Sequence, residues 1–439
     1  MSTLEQRLLQ TLEPWRTAPA WHVAFSGGLD STVLLHALSE LGRREPLPPL
    51  SAVHVHHDLQ AVAEHWPAHC QSICAQLGVP LRIERVRVDR DASSLERSAR
   101  NARYAAFERL LAPHEVILTA QHQDDQAETL LFRLLRGAGL KGLAGMPPAR
   151  SVGLAVLVRP LLDVPRAALE SYAVQHDLSW VDDPSNRDCH YSRNYLRHAV
   201  LPLLAQRWPG VSRTLARSAE HLAEAQDLLD ELAQEDLGAS PADLQWPWLR
   251  LPSIDISSLQ VLGDARQRNA LRAFLAPLTE LPDFAHWAGW RDLRDAAADA
   301  CPVWRLAQGE LHRANGRVWW LSGEWLAAPS GVFDWTVPGQ RMQLPANGCV
   351  TICGAPPAGP LTVRYRQGGE RMHIAGRGHR DLKRLLNEVQ IPGFVRDRLP
   401  LLFAGEALVA VANLPGLRNV GDGGWAFEWL PPAGAQGLS

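Results

Sequence analysis

The chain has 439 residues, 46% of them hydrophobic, with a net charge of −3 and six cysteines. That length predicts two or three domains, and the lack of any apolar run of about 18 residues argues for a soluble globular protein rather than a membrane-spanning one. Six cysteines in so long a chain do not make a disulfide scaffold, and the polar start "MSTLEQRLLQTLEPW" is no signal peptide, so a reducing cytoplasm is expected.

Charge is more informative locally than globally. At −3 overall, any polyanionic partner must be met by a local basic patch. Of the 44 basic residues only Lys141 and Lys383 are lysines. Arginine-biased codon usage accounts for the trend. The two survivors mark places where a compact ammonium suits better than a planar fork.

Up to about residue 200 apolar strands alternate with helical patterns. The strand runs are "WHVAF", "LSAVHVHH", "LRIERVRV", "EVILTA" and "AVLVRPLL". Helical periodicity covers Ser31–Leu41, Gln60–Leu77, Leu95–Leu111, Asp125–Arg136 and Pro165–His176. This order predicts a doubly wound α/β fold with a parallel sheet, whose ligands sit at the carboxyl ends of the strands. The turns "SGGLDS", "HHDLQ" and "AQHQDDQAET" fall at that edge.

The first of these turns carries the strongest chemical signal. In "VAFSGGLDSTVLLHAL" a strand meets Ser26, Gly27, Gly28, Leu29, Asp30 and Ser31, and a helix follows at once. Backbone N–H groups of such a turn bind an anion without side-chain charge, and the two serines can add hydroxyls. An acid beside a phosphate is repelled unless a cation sits between them, so Asp30 suggests magnesium; helix capping is the bland alternative.

In "TAQHQDDQAETLLFRLLRGAGLKGLAGM", Asp124, Asp125 and Glu128 open a helix, with spacings that put Asp125 and Glu128, or Asp124 and Glu128, on one face. Clustered carboxylates bind a metal, act as a base or grip a cation, although a negative first turn also complements the helix dipole. Gly137, Gly139, Gly142 and Gly145 then predict a flexible loop carrying Lys141 between Arg133 and Arg136 on one side and Met146 on the other. Upstream, "SLERSARNARYAAF" sets Arg97, Arg100 and Arg103 along one helical flank, where Arg100 and Arg103 are candidate phosphate contacts. Downstream, "WVDDPSNRDCHYSRNYLRHAVLP" places Arg193, Asn194, Arg197 and His198 on a helix, and Arg193 is the candidate for steadying transition-state charge.

Beyond Trp208 the pattern turns helical, with seven acids and no arginine or lysine between Glu220 and Asp236 forming a solvated face. Residues 241–330 are rich in Trp and Pro and predict a small helical domain, its tryptophans core rather than base-stacking. "GAPPAGP" (354–360) reads as a linker into a β-rich end with one helix. From Thr362 to Pro400, nine arginines and lysines oppose four acids, a patch suited to a nucleic-acid backbone; Arg380, Lys383 and Arg384 are its candidates for phosphate contact.

"SGGLDS" resembles the pyrophosphate loop of N-type ATP pyrophosphatases, which split ATP between its α and β phosphates and adenylate an acceptor. Together with "HVHH", "ARNARY", "HQDDQAET", "RGAGLKGL", "RPLL", "DDPSN" and the late "RGHRDLKRLLNEVQIP" and "RDRLPLLF", it resembles the tRNA(Ile)-lysidine synthetase family over nearly the whole chain. The resemblance implies a catalytic domain over 1–205, a helical tRNA-binding domain over 206–335 and a small α+β tRNA-binding domain over 361–439. It implies ATP as co-substrate with Mg2+, and as partners L-lysine and a tRNA(Ile) with a CAU anticodon, with no membrane partner and a homodimer left open. On this reading Ser26 to Ser31 bind ATP, Asp30 holds Mg2+, Asp125 and Glu128 bind lysine, Asp30, Asp125, Glu128 and Arg193 are catalytic, and Arg100, Arg103 and Lys141 join the late patch on tRNA. One departure is Gln121-His122, where some members carry two histidines; His122 keeps a candidate nucleotide contact.

Two other readings stay open. A tRNA thiolase shares the loop but needs reactive cysteine, and here Cys70/Cys74 and Cys349/Cys353 are C-x3-C pairs, the first placed one helical turn apart as core. A non-catalytic RNA-binding protein would own the basic patch but has no use for "SGGLDS" or the acid cluster.

Overall fold

The computed structural model describes residues 2–57, 65–87, 95–238, 245–282, 285–297, 300–374, 377–419 and 424–434. It forms two compact units, Met1–Leu228 and Leu229–Ser439. In the first, β1 (Trp21–Ala24), β2 (Leu50–His56), β3 (Leu81–Arg85), β4 (Val116–Leu118), β5 (Ala149–Val152) and β6 (Ala155–Val158) make one sheet in the order β3-β2-β1-β4-β6-β5. Every neighbouring pair is parallel except β5 and β6. The hairpin strand β5 is not among the strands expected from the sequence; Gly153, at φ 56°, supplies the tight turn that folds it onto β6.

Strand alternation sorts the helices. Trp21 and Val23 of β1 and Val116 and Leu118 of β4 share a core with α1 (Thr3–Leu12), α2 (Leu29–Gly42), α3 (Trp66–Leu77) and α7 (Arg166–Gln175). Ile117, Val53 and Leu157 point to the other face, against Phe107 of α4 (Leu95–Leu110). The helix expected from Gln60 begins, within the described residues, at Trp66; positions 58–64, including much of "HHDLQ", and Ser94 lie outside them. Because β1 is flanked by β2 on one side and β4 on the other, the chain reverses its direction of winding there. The carboxyl ends of β1 and β4 therefore splay into the crevice where such sheets bind ligands.

The chain continues through α5 (Gln123–Leu134), α6 (Leu140–Leu143), α8 (Ser192–Tyr195) and α9 (Leu201–Arg207) into the long α10 (Val211–Gly238). The acidic face of α10 is solvated except at Asp236, which is buried and forks onto Arg266.

In the second unit the Trp-rich stretch contains the expected helices, α11 (Ile256–Gln260), α12 (Asp264–Leu275) and α13 (Ala288–Asp295). It also contains an antiparallel sheet of β7 (Ser253–Asp255), β8 (Val303–Leu306), β9 (Gly309–Ala314) and β10 (Arg317–Ser322) that was not expected. Trp287, Trp290, Trp304 and Trp320 fill the core between them, as the sequence suggested.

The remainder is a six-stranded sheet ordered β11-β14-β17-β18-β15-β16 and a three-stranded one ordered β12-β13-β19. These strands are β11 (Val332–Trp335), β12 (Met342–Gln343), β13 (Cys349–Cys353), β14 (Leu361–Arg364), β15 (Arg371–Ile374), β16 (Gly378–Asp381), β17 (Leu401–Ala404), β18 (Ala407–Val411) and β19 (Ala426–Leu430), with α14 (Leu382–Glu388) and α15 (Gly393–Arg396) beside them. The Pro/Gly stretch 354–360 is no linker between bodies. β11, which precedes it, pairs with β14, which follows it, and β13 pairs with β19 across it.

Candidate functional site

The turn after β1 is built as an anion cradle. Gly27 has φ 85°, where a side chain is strained, and a Cβ on it would meet Cys70 Sγ at 3.0 Å. Gly28 is extended and caps α2 without a side chain, leaving the first N–H groups of the helix open. The serines serve the loop itself. Ser31 Oγ donates to Gly28 O (3.0 Å) and accepts Ser26 N–H (3.3 Å), while Ser26 Oγ accepts Gly28 N–H (3.3 Å).

Beside the cradle lies an electrostatic knot. His122, 1% exposed, has Nε2 at 3.7 Å from Asp30 and 3.5 Å from Asp125, and Nδ1 at 3.8 Å from Asp124. Its extended backbone starts α5 two residues earlier than periodicity predicted, with Asp125 accepting the His122 N–H. Burial pushes the Asp30 carboxyl above its ordinary range, against the pull of His122 and Arg166. Asp30 Oδ1 is buried without a hydrogen-bond partner, an orphan acceptor that fits a hard cation.

Asp125 and Glu128 do share a face, but they are not free. Arg197 donates from Nε to Glu128 Oε1 (2.5 Å) and from one terminal nitrogen to Glu128 Oε2 (2.9 Å) and Asp125 Oδ1 (2.7 Å). Burial opposes the Arg197 charge, but Glu128 and Asp125 outweigh it and keep the guanidinium protonated. Arg197 sits in a π-turn, Leu196–Val200, closed by Leu201 N–H to Leu196 O. Pro202 has no N–H to give the carbonyl of His198, so the regular α-helical bond is missing there.

A crevice of about 520 Å³ joins these groups. Of the residues singled out in the sequence, Ser26, Gly28, Leu29, Asp30, Ser31, Asp125 and Arg103 line it, with Tyr104, Arg166, Arg187, Arg197 and His198. Gly27, Glu128, Arg193, Arg100 and Lys141 do not. Arg193 instead lies 5.7 Å from the centre of the Phe132 ring, so Arg197, one turn on, is the arginine that the helix brings to the crevice. Pro202 was the available signal for that shift; nothing in the sequence marked Arg166.

Two loop expectations need correction. The Gly137–Gly145 loop is not free, because Arg133 donates to Gly142 O (2.7 Å) and Gly145 O (2.8 Å), and Gln126 pairs with both backbone groups of Met146. Lys141 remains exposed on it, and Arg100 lies over Tyr104 at 5.4 Å. In the late basic stretch, Arg398 is 3% exposed and bonds to carbonyls of Glu324, Ala327 and Ala346. Arg364, Arg366 and Arg377 pair with Glu406, Asp397 and Glu388. The exposed cations that lack an acidic partner among the described residues are Arg371, Arg380 and Lys383, while Arg384 reaches Glu388 at 3.4 Å. The patch is smaller than the charge count suggested.

Cys70 and Cys74 are buried, with thiols pushed up to about 12 and about 11, and no cysteine lines the crevice.

Comparison with known proteins agrees with this arrangement. Residues 1–204 match the family model for the PP-loop domain, 254–319 that for the TilS substrate binding domain and 361–429 that for the TilS substrate C-terminal domain. The chain is 59% identical over 435 residues to the tRNA(Ile)-lysidine synthase of Pseudomonas fluorescens (strain Pf0-1), covering 99% of this chain and 98% of that one. It is 59% identical to that of Pseudomonas aeruginosa, covering 99% of each, and 40% identical to that of Escherichia coli O157:H7, covering 93% and 95%. With relatives so similar along essentially its full length, the chain belongs to the tRNA(Ile)-lysidine synthase family.

Proposed function

We infer that this chain joins L-lysine to C2 of the wobble cytidine of a CAU-anticodon tRNA(Ile), consuming ATP and releasing AMP and pyrophosphate. The observation that carries this is a single crevice holding an open helix N-terminus, an orphan carboxylate and Asp125, with its partner Glu128 buried behind Arg197. In the first step cytidine O2 attacks the α-phosphorus and its bond to the bridging oxygen breaks. Pyrophosphate leaves against the Ser26–Ser31 turn, where the N–H groups of α2 meet its charge. In the second, the lysine Nζ gives a proton to the Asp125/Glu128 pair and attacks C2; the C–O bond breaks and AMP departs.

Asp30 would hold Mg2+, which when bound offsets the charge of the triphosphate. Arg166 and Arg197 face the negative charge in the crevice, with Arg193 a turn away. Arg100, Arg103, Lys141, Arg380, Lys383 and Arg384 contact the tRNA backbone, and the enzyme works in the cytoplasm. Thiolation is the weaker reading, since the paired thiols nearest the loop are buried and held protonated. The test is to incubate enzyme, ATP and transcript with each amino acid in turn and digest the RNA. A nucleoside heavier by one lysyl group should form with lysine alone, with stoichiometric AMP. Sulfur in the product, or AMP without tRNA dependence, would overturn it.

A further inference from the structure

The lysine site of the proposed reaction is already filled by part of the protein. Three carboxylate oxygens, Asp125 Oδ1 and both of Glu128, receive N–H groups from Arg197 at 2.5–2.9 Å. A lysine ammonium has three N–H donors, so these acceptors match its capacity. Arg197 lines the crevice and Glu128 does not, which places the guanidinium between the buried carboxylate and the space a substrate enters. Arg197 already occupies these three oxygens, so an ammonium reaches the same acceptors only by displacing its N–H groups.

We propose that Arg197 is an internal stand-in for the substrate ammonium: lysine binds by taking over the Asp125/Glu128 acceptors and driving the guanidinium into the crevice. This rests on the lysine-ligase reading above. The surroundings suit an exchange. Arg197 makes its hydrogen bonds to side-chain carboxylates and to no backbone carbonyl among the described residues, unlike Arg398, which is anchored on three carbonyl groups. Its side chain is 26% exposed on the crevice side, against 6% for Glu128. Its π-turn holds one residue more than an α-turn, an irregularity of the kind found at functional sites.

The exchange also keeps the charge of the site constant. The carboxylate pair keeps one cation before and after, so Glu128 is never left buried and unpaired. The released guanidinium is then a positive charge in the same crevice as the phosphate of the adenylated base. Arg197 thus acts as a positioning residue in the empty enzyme and reaches the reacting phosphate once lysine is bound.

The decisive measurement is equilibrium dialysis of radiolabelled lysine onto the full-length protein with a non-hydrolysable ATP analogue. Arg197→Gln removes the competing cation, and lysine should bind about tenfold more tightly if the guanidinium holds the acceptors about nine-tenths of the time. Arg197→Lys keeps a tethered cation and should bind lysine close to the parent level. Equal or weaker lysine binding by Arg197→Gln would reduce Arg197 to a brace. If that variant does not fold, the parent decides: the Arg197 Nε–H resonance, assigned from Arg197→Lys, should shift with lysine and stay with norleucine. An unmoved resonance at saturating lysine sinks the exchange, whereas failure of the parent to bind lysine or form lysidine sinks the functional reading instead.

Discussion

Asp30 is an acid placed where an acid is costly. It is half-buried at the mouth of a phosphate cradle, with one oxygen unpartnered, and burial raises its carboxyl above the ordinary range. Asp30→Asn keeps the size and removes the charge, so AMP and pyrophosphate formation should fall on the order of 100-fold or more. Pyrophosphate release by the folded variant at parental rate would remove Asp30 from the chemistry. The pH dependence follows with a definite sign. The ionised form is the one needed, so kcat/KM for ATP should fall as pH drops through the raised pKa, above the usual carboxylate window. A raised folded-state pKa means that the native protein binds this proton more readily than the unfolded chain, so the Asp30 contribution to stability is present at low pH and lost as pH rises through that value. Activity should therefore disappear on acidification before near-ultraviolet circular dichroism changes, and return on neutralisation. Simultaneous loss of both signals would show that unfolding, not Asp30, sets the acid limb.

At the level of elements, the loop between β1 and α2 is legible from local rules, and the site around it is only partly so. Strand, glycines and helix in one run fixed the cradle, because each is a short-range property of the backbone. The acids of α5 were found for the same reason. Their partner was not, since Arg197 and Glu128 are 69 residues apart and meet only through the helix that follows the sheet. The β5 hairpin was missed because "ARSV" has no apolar alternation. The sheet in the Trp-rich stretch was missed because indoles at β-positions read like helix core. Gly27 tests the short-range part. Gly27→Ala adds a Cβ at φ 85°, a conformation costing on the order of 1 kcal/mol or more for a non-glycine residue, and crowds Cys70 Sγ. KM for ATP should rise several-fold with a lowered Tm. Adding Cys70→Ala should recover part of the Tm by making room, but not the KM, because the turn stays strained. Full recovery of both would assign the whole effect to packing.

At the scale of the whole molecule the question is how a protein of net charge −3 holds a polyanion. Nine basic residues against four acids overstate the answer, because charge counting cannot distinguish a cation facing water from one folded inward. Arg398 shows the difference. It is nearly fully buried, and its guanidinium gathers the carbonyls of Glu324, Ala327 and Ala346, so it ties these segments of the second unit to one another. Lys383 on α14 and Arg380 on β16 are exposed and unopposed by acids among the described residues. The two kinds of residue should separate cleanly in one experiment. Lys383→Ala and Arg380→Ala should leave stability within about 0.5 kcal/mol of the parent and weaken tRNA binding. Each should also lower the slope of log affinity against log salt by roughly 0.7–0.9 for each phosphate that is no longer neutralised. Arg398→Ala removes a buried side chain and its bonds to three carbonyls, so it should cost on the order of 2 kcal/mol of stability while leaving the salt slope unchanged at temperatures where the variant is folded. A Lys383 variant with parental affinity and slope would mean that the tRNA does not cross this face, and the cations of the first unit (Arg100, Arg103 and Lys141) would then have to meet the backbone phosphates.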